Sequence, residues 1–394
     1  MKFFYTLIGI MQFSIAAFAQ PITINASDIP IPSYPFNIDE ITSALPVNPT
    51  MGVNQVWDYS TYFGNTPQVN NYQAESETFF LNAGVDVNLA GSKELNSTAG
   101  YLITNEYDFN VNGVFESGAN INHQAYELSA VTGSNMDSLI FPAQQYIFSS
   151  PKILMEFPFT ANSAWHSVSS RVTDFNLTVA AYFLNNTPGQ QKYTYYRNDS
   201  IVGWGTLSVY TTSGPSAPIE VLMEQVEQYS VDSFFLSGSP APTPLLTAFQ
   251  VTQGQRTNVQ YSYNFYRAGS FNYLLRLNYG SDDTYTSLAS AFVSTDDLTD
   301  VNNPEGNSYS TIVFPNPSNG AEVNIKVIGH SFDLNEYSII NLSGKIVQKG
   351  SVKNKSNGLT QLSLDAKLAN GNYFVKVKDM SNKEVVSQQI SLQR

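Results

Sequence analysis

Along most of the chain, large apolar side chains and small polar ones alternate with a period of two. In VQYSYNFY (259–266), Val259, Tyr261, Tyr263 and Phe265 alternate with Gln260, Ser262 and Asn264, which sets the large groups on one face of a strand. FNYLLRLNY (271–279) does the same with Phe271, Tyr273, Leu275, Leu277 and Tyr279. The link between them, Arg267-Ala268-Gly269-Ser270, is short, polar and holds a glycine able to take positive φ, so the pair predicts a β-hairpin. Strands are also expected at 79–89, 101–109, 171–184, 191–210 and 219–235, the last three long enough to bend or cross between sheets. Clusters such as Asn185-Asn186-Thr187-Pro188-Gly189 punctuate the pattern, and no amphipathic helical stretch of a dozen residues stands out. The expected class is all-β: an acidic, aromatic-rich antiparallel sandwich or curved sheet over residues 20–293, in one or two domains, with one face packed and one wet.

The rhythm stops at STDDLTDVNNPEGNSYS (294–310), which is too polar to bury and predicts a linker over 294–311. Then comes FPNPSNG (314–320). Each proline fixes φ, withholds a backbone donor and pushes the residue before it to extended geometry, which suits the entry to an edge strand. Ser318-Asn319-Gly320 reads as a turn. A series of short strands follows, VNIKVIG, YSIINLSGKIV with a turn at Ser343-Gly344, LSLDAKL, NGNYFVKV and VVSQQISL, predicting a small immunoglobulin-like sandwich over 312–394.

The chain opens with Lys2, the apolar run FFYTLIGIMQFSIAAF and Ala17-Phe18-Ala19, the order of a secretory signal peptide (1–19) cleaved between Ala19 and Gln20. That run is short for a membrane span, and no second one follows, so no transmembrane span is expected in the mature protein. Charge divides at the linker. Residues 1–311 hold 9 Lys and Arg against 26 Asp and Glu, whereas 312–394 hold 10 against 6, which points to two modules with different surroundings. An acidic body repels phosphate backbones, so nucleic acid is not an expected partner. The absence of cysteine removes thiol nucleophiles, zinc-thiolate sites and N-terminal lipid attachment.

The succession VFPNPSNG, NLSGKIV and LANGNYFVKV near the C-terminus resembles the C-terminal sorting domain of type A cargo in the type IX secretion system of Bacteroidota, over residues 312–394. On that resemblance Pro315, Asn316 and Pro317 match the opening motif, Gly344 the central turn, and Gly371 with Tyr373 a G-x-Y element. Where the family often carries lysine near the final strand, this chain has Gln388, Gln389 and Arg394. The resemblance implies Sec export by the signal peptide, then outer-membrane passage directed by the folded tail through the type IX machinery. It also implies, commonly, removal of the tail and either release or attachment to surface glycolipid, hence a secreted or outer-surface location. GVNQVWDYSTY (52–62) and VGWGTLSVY (202–210) are similar to segments of secreted Bacteroidota proteins of undefined activity and bring no chemistry with them.

Candidate chemistry in the body is sparse. His123 and His166 stand apart from other metal-ligating residues, and His330 lies in the tail. Among Glu220, Glu224 and Glu227, the first two share a strand face and the third faces away; a glycosidase needs two carboxylates about 5–10 Å apart across a sugar. Asp282-Asp283 and Asp296-Asp297 with Asp300 offer oxygens to calcium without the loop rhythm that calcium prefers, so no cofactor is assigned. Trp57, Trp165 and Trp204 are the aromatics to test for exposure to sugar rings, core packing being the expectation for them. Asp137-Ser138-Leu139 and Asp199-Ser200-Ile201 resemble O-glycan attachment sites of exported Bacteroidota proteins. No catalytic constellation assembles, so the body reads as a non-enzymatic binding or adhesive module with a glycan or glycolipid as its partner; the alternative is a polysaccharide hydrolase working with paired carboxylates.

Overall fold

The computed structural model describes residues 20–32, 36–42, 46–95, 100–212, 214–295, 310–319, 322–328, 334–342, 344–354, 359–380 and 384–394. The signal segment 1–19 with Ala19, most of the linker (296–309) with Asp296, Asp297 and Asp300, the turn residues Gly320 and Ser343, and His330 lie outside the described residues.

The fold is all-β, as the alternation predicts. The larger body sheet is built around Leu184–Thr211, which pairs with Ala164–Val179 on one side and Ile219–Leu236 on the other. Beyond Ile219–Leu236 it continues through Gln255–Tyr266, Leu275–Gly280, Ser290–Ser294, Phe36–Glu40 and Thr66–Asn70; beyond Ala164–Val179 lie Ser138–Phe141 and Gln124–Glu127. A smaller antiparallel sheet, ordered Gln144–Glu156, Gly113–Ile121, Gly100–Asn110, Val87–Glu94 and Gln73–Ala74, covers one of its faces.

The hairpin forms with Tyr263 opposite Leu277 and Phe265 opposite Leu275. Its second strand begins only at Leu275, because Ser270 and Asn272 close a local turn in which the Ser270 hydroxyl accepts the Asn272 N–H (3.1 Å). Phe271 and Tyr273 consequently pack in a different core from Leu275, Leu277 and Tyr279. The expected strand 79–89 is a correction: Thr78–Asn82 is a helical turn, and the strand runs Val87–Glu94. The Glu75 carboxylate accepts the N–H groups of Ser76 (2.7 Å) and Glu77 (2.6 Å) and so fixes the approach. The adjacent Phe80 and Leu81 are both buried, which a strand would prevent by sending them to opposite faces. The expected strand 171–184 likewise shifts to Ala164–Val179, followed by a 3-10 turn, Ala180–Tyr182.

Where Ala164–Val179 runs out, Gly52–Tyr59 takes over the edge of the long strand in parallel, with Gly52 opposite Gly203 and Trp57 opposite Leu207. The two familiar-looking body stretches are therefore partners. The glycine of this contact is obligatory: a Cβ at Gly205 would lie 1.9 Å from the Gln55 carbonyl oxygen.

Between the two body sheets the interior is apolar at both ends and ionic in the middle. One end gathers Ile103, Ile121, Phe141, Phe175, Leu177 and Phe234; the other gathers Val114, Met155, Phe159, Trp165, Ile201 and Leu222. Across the middle, Lys93 of the smaller sheet pairs with Asp232 of the larger (3.0 Å), and Lys152 sits 4.1 Å over the Tyr195 ring while bonding Glu116 (2.8 Å). The Tyr101 hydroxyl accepts from Arg171 (2.9 Å) and donates to Gln191 (3.0 Å), whose amide donates to Asp232 (2.6 Å). Arg197 holds Asp199 (2.6 Å) and reaches toward Glu224 (3.7 Å), which also accepts from Asn264 (2.8 Å). Burial, then the neighbouring Asp199 charge, pushes the Glu224 carboxyl up, with Arg197 opposing. Burial, followed by the hydrogen bond and charge of Glu75, pushes Glu106 up to about 10.

The tail forms two four-stranded sheets. One is Ser310–Phe314, Glu322–Ile328, Leu359–Ser363 and Lys353–Asn354; the other is Ile346–Ser351, Leu334–Asn341, Gly371–Asp379 and Glu384–Leu392. They enclose their own core, including Val323, Ile325, Tyr337, Ile339, Val375, Val377 and Ile390.

Two outcomes follow. Gly205→Ala should cost about 2–3 kcal/mol, because backbone must separate to admit the methyl group, and thermal unfolding of the full chain measures it. Glu106 and Glu224 hold protons in the folded body that the unfolded chain releases. Their contribution is fully present below the ordinary glutamate value and is lost as pH rises toward the raised folded values. The melting temperature should therefore fall between about pH 5 and about pH 9, and a Glu106→Gln/Glu224→Gln variant should flatten that slope.

Candidate functional site

The Pro315-Asn316-Pro317 stretch lies where the tail's first sheet meets the last strand of its second. Pro315 and Pro317 have no N–H to give, and the side chain of Asn316 between them makes the missing ladder contacts. Its amide donates to the Gln389 carbonyl (2.9 Å) and its oxygen accepts the Ser391 N–H (2.8 Å). Ser318 extends the seam: its N–H donates to the Ser391 carbonyl (2.7 Å) and its carbonyl accepts from Gln393 (2.8 Å). The P-N-P motif is thus a clasp between the beginning and end of the module. Gly344 takes φ +81° in the connection from Leu334–Asn341 to Ile346–Ser351, where its N–H bonds the Asn341 carbonyl (2.9 Å). Gly371 starts its strand at φ +151°, opposite Leu392. The buried Tyr373 donates its hydroxyl to the Ala369 carbonyl (2.9 Å), and Arg394 holds the same loop through the carbonyls of Asp365 (2.7 Å) and Ala366. Sequence brought these residues forward one by one; the meeting of Asn316, Gly371 and Tyr373 on the last strand was not readable, and Gly344 lies apart from them at the opposite edge of the sheet.

The body's candidates mostly sit inside. Trp57 and Trp165 are buried, Trp57 donating to the Thr50 carbonyl (3.0 Å) and crossing the Phe265 ring edge-on at 5.1 Å. Trp204 is half-buried and, with Glu220 and the exposed Gln20, borders a hollow of about 200 Å³. His123 and His166 are exposed. Glu220 is exposed near its strand end, whereas Glu224 is sealed in the seam and Glu227 lies on the outer face beside Arg256 (3.4 Å). On that outer face Tyr196 and Tyr229 stack at 4.8 Å and Arg256 lies 3.7 Å over Tyr229, so the tyrosine faces cover one another. Asp282 caps its own turn, accepting from Thr284 (2.5 Å), Thr286 (3.0 Å) and Ser287 (2.7 Å), bonds that hold its carboxyl below the usual range. Asp137 and Asp199 are buried, with Asp137 accepting the Ala180 N–H (3.0 Å), while Ser138 and Ser200 are half-buried within paired strands. Among the described residues no group of three or more His, Cys, Asp or Glu is placed to hold a metal ion. No described helix is long and apolar enough to cross a membrane.

A site the sequence did not signal opens at the Phe234 end of the body sandwich. Phe141, Phe175, Leu177, Phe234, Leu245 and Leu246, with further apolar neighbours, line a pocket of about 70 Å³, partly roofed by the helix Thr243–Ala248. Its one strongly polar liner is Gln191, whose amide oxygen and nitrogen are already bonded to Tyr101 and Asp232. The pocket therefore presents an apolar wall.

Asn316→Ala should weaken the tail by about 1–2 kcal/mol, since two strand-edge hydrogen bonds go with the amide. Denaturant unfolding of the full chain, followed by a probe in the tail, measures the loss, and Asn316→Asp should also fail to restore stability because it lacks the donor to Gln389.

The tail, at residues 312–392, matches the family described as the secretion system C-terminal sorting domain. No curated protein matches the chain. Among solved structures, a fungal alcohol oxidase of the AA5 family in complex with copper is 7% identical, covers 96% of this chain and 100% of its own, and superposes with a TM-score of 0.17, too low to carry any argument. The sorting-domain match makes the protein a type IX secretion cargo, destined for the medium or the cell surface.

Proposed function

We propose that the body is a non-enzymatic binding module, carried outside the cell by its tail, and that it grips an apolar group in the pocket beneath the Thr243–Ala248 helix. The observation that carries this reading is the pocket wall: hydrocarbon throughout, with the Gln191 amide engaged on both sides. Such a wall offers no nucleophile, acid or base, and the space it encloses, about 70 Å³, is small beside the roughly 300–1,000 Å³ of drug-sized ligand sites, which suits one slender apolar group. The close carboxylates, Asp199 with Glu224 and Glu75 with Glu106, are buried in the sandwich rather than set across a cleft, so no sugar fits between them. An acyl chain or an unsubstituted aromatic ring suits the wall, and the acyl part of a surface glycolipid is one source of such a group.

Titration of the full chain with 1-N-phenylnaphthylamine should give saturable fluorescence enhancement that dodecanoate displaces. Ala241→Leu, which fills the pocket from its wall, should abolish the signal while the melting temperature stays within a few degrees. Absence of saturable binding, or release of product from a polysaccharide panel, overturns the reading.

A further inference from the structure

The tail has two outer sheet faces, and the body covers one of them. From the sheet containing Glu322–Ile328, Lys326 reaches into the body to pair with Asp86 (2.9 Å) and to donate to the Gly84 carbonyl, with both partners of the ion pair buried. Burial pushes the Asp86 carboxyl up to about 6, with the Lys326 charge opposing. Phe314, Leu359 and Ile312, on the same outer face as Lys326, pack against Leu81 of the body. This sheet is occupied in the full-length chain.

The other sheet turns its outer face away from its own core. Tyr337, Ile339, Tyr373, Val375 and Val377 point inward, leaving the alternate positions outside. Cross-strand register lines these up in rows. One row runs Ile346, Ile340, Phe374 and Gln389; the next runs Lys349, Ser338 and Lys376, and Lys378 follows opposite Glu336. Ile346 is 44% exposed and Phe374 39%, so this is an apolar stripe bordered by lysines on a module that is itself basic.

We infer that this outer face of the tail's second sheet, centred on Ile346, Ile340 and Phe374 and flanked by Lys349 and Lys376, is the surface by which the sorting domain is engaged, and that its partner is an acidic protein surface of the export apparatus with an apolar centre. The inference rests on the sorting reading of the tail and adds which face is used. Charge complementarity selects the partner, since basic side chains border the stripe while the acidic groups of this chain concentrate in the body. A protein surface is favoured over a lipid one because the stripe is flat, three side chains across one sheet, and has no protruding segment to enter a bilayer.

The test compares full-length chains in the producing cell. A Phe374→Ser/Lys376→Glu variant should reach the medium or cell surface at about one tenth of the normal level and accumulate in the periplasm. Its melting temperature after purification should stay within a few degrees of the parent's. Lys326→Ala, on the occupied sheet, should be exported normally. Export of the face variant at the parental level, while deletion of 312–394 still blocks export, overturns the assignment of the face and leaves the sorting reading intact; normal export of the deletion overturns the sorting reading itself. Sedimentation of the parent, but not of the face variant, with phosphatidylglycerol vesicles would reassign the face to a membrane and overturn the protein partner.

Discussion

The body depends on an ionic seam laid between two sheets that are otherwise joined by hydrocarbon. Burying Lys93 and Asp232 costs several kcal/mol of lost hydration per ion, recovered only when the geometry is good and every remaining lone pair is met. Here Asp232 meets Lys93, Gln191 and Thr257, while Gln191 in turn meets Tyr101. Desolvation pulls the Lys93 ammonium below its ordinary value and the Asp232 charge pulls it back, so the pair is held by its partners and not by water. A network of this kind penalises any slip between the sheets, because a shift of one residue would leave charges unmet in the interior. It thereby fixes which side chains line the neighbouring pocket, and it engages the one amide that faces it.

The same seam changes how the charge balance should be understood. Residues 1–311 contain few cations, and Lys93, Arg171 and Arg197 are buried among them. With these turned inward, the surface of the body is poorer in positive charge than its composition suggests, whereas the tail keeps lysines on its outer rows. Lys326 is the exception that joins the two modules, entering the body beside Asp86 and Asp108. Body and tail thus differ in charge and have separate cores; among the described residues they are linked by the Lys326–Asp86 ion pair, the Lys326–Gly84 hydrogen bond and a small apolar cluster.

Much of the fold was legible. The hairpin of Gln255–Tyr266 with Leu275–Gly280, the strand at 219–235 and the strands of the tail follow from alternation and turn residues. The misplaced segment at 79–89 shows the limit: FFL has no period to read, and the helical turn there is what lets the adjacent Phe80 and Leu81 both be buried. The candidate site was legible only in pieces. Pro315, Asn316 and Pro317 announced an edge, but their partners Gln389 and Ser391 lie on the far side of the module's sequence, and the pocket's walls come from segments as distant as Leu95 and Val251.

By itself the sequence determined the strand periodicity, the division into an acidic body and a basic tail, and the proline-bounded strand edge at 314–317, because side-chain alternation, charge and the missing donor of proline are properties of neighbouring residues. Only the tertiary structure decided that Glu224 and Asp199 would be sealed together with Arg197, that Gly205 would have to admit Gln55, and which sheet of the tail would stay open. Alternation gives a strand two faces, and which of them becomes interior belongs to whatever packs against it.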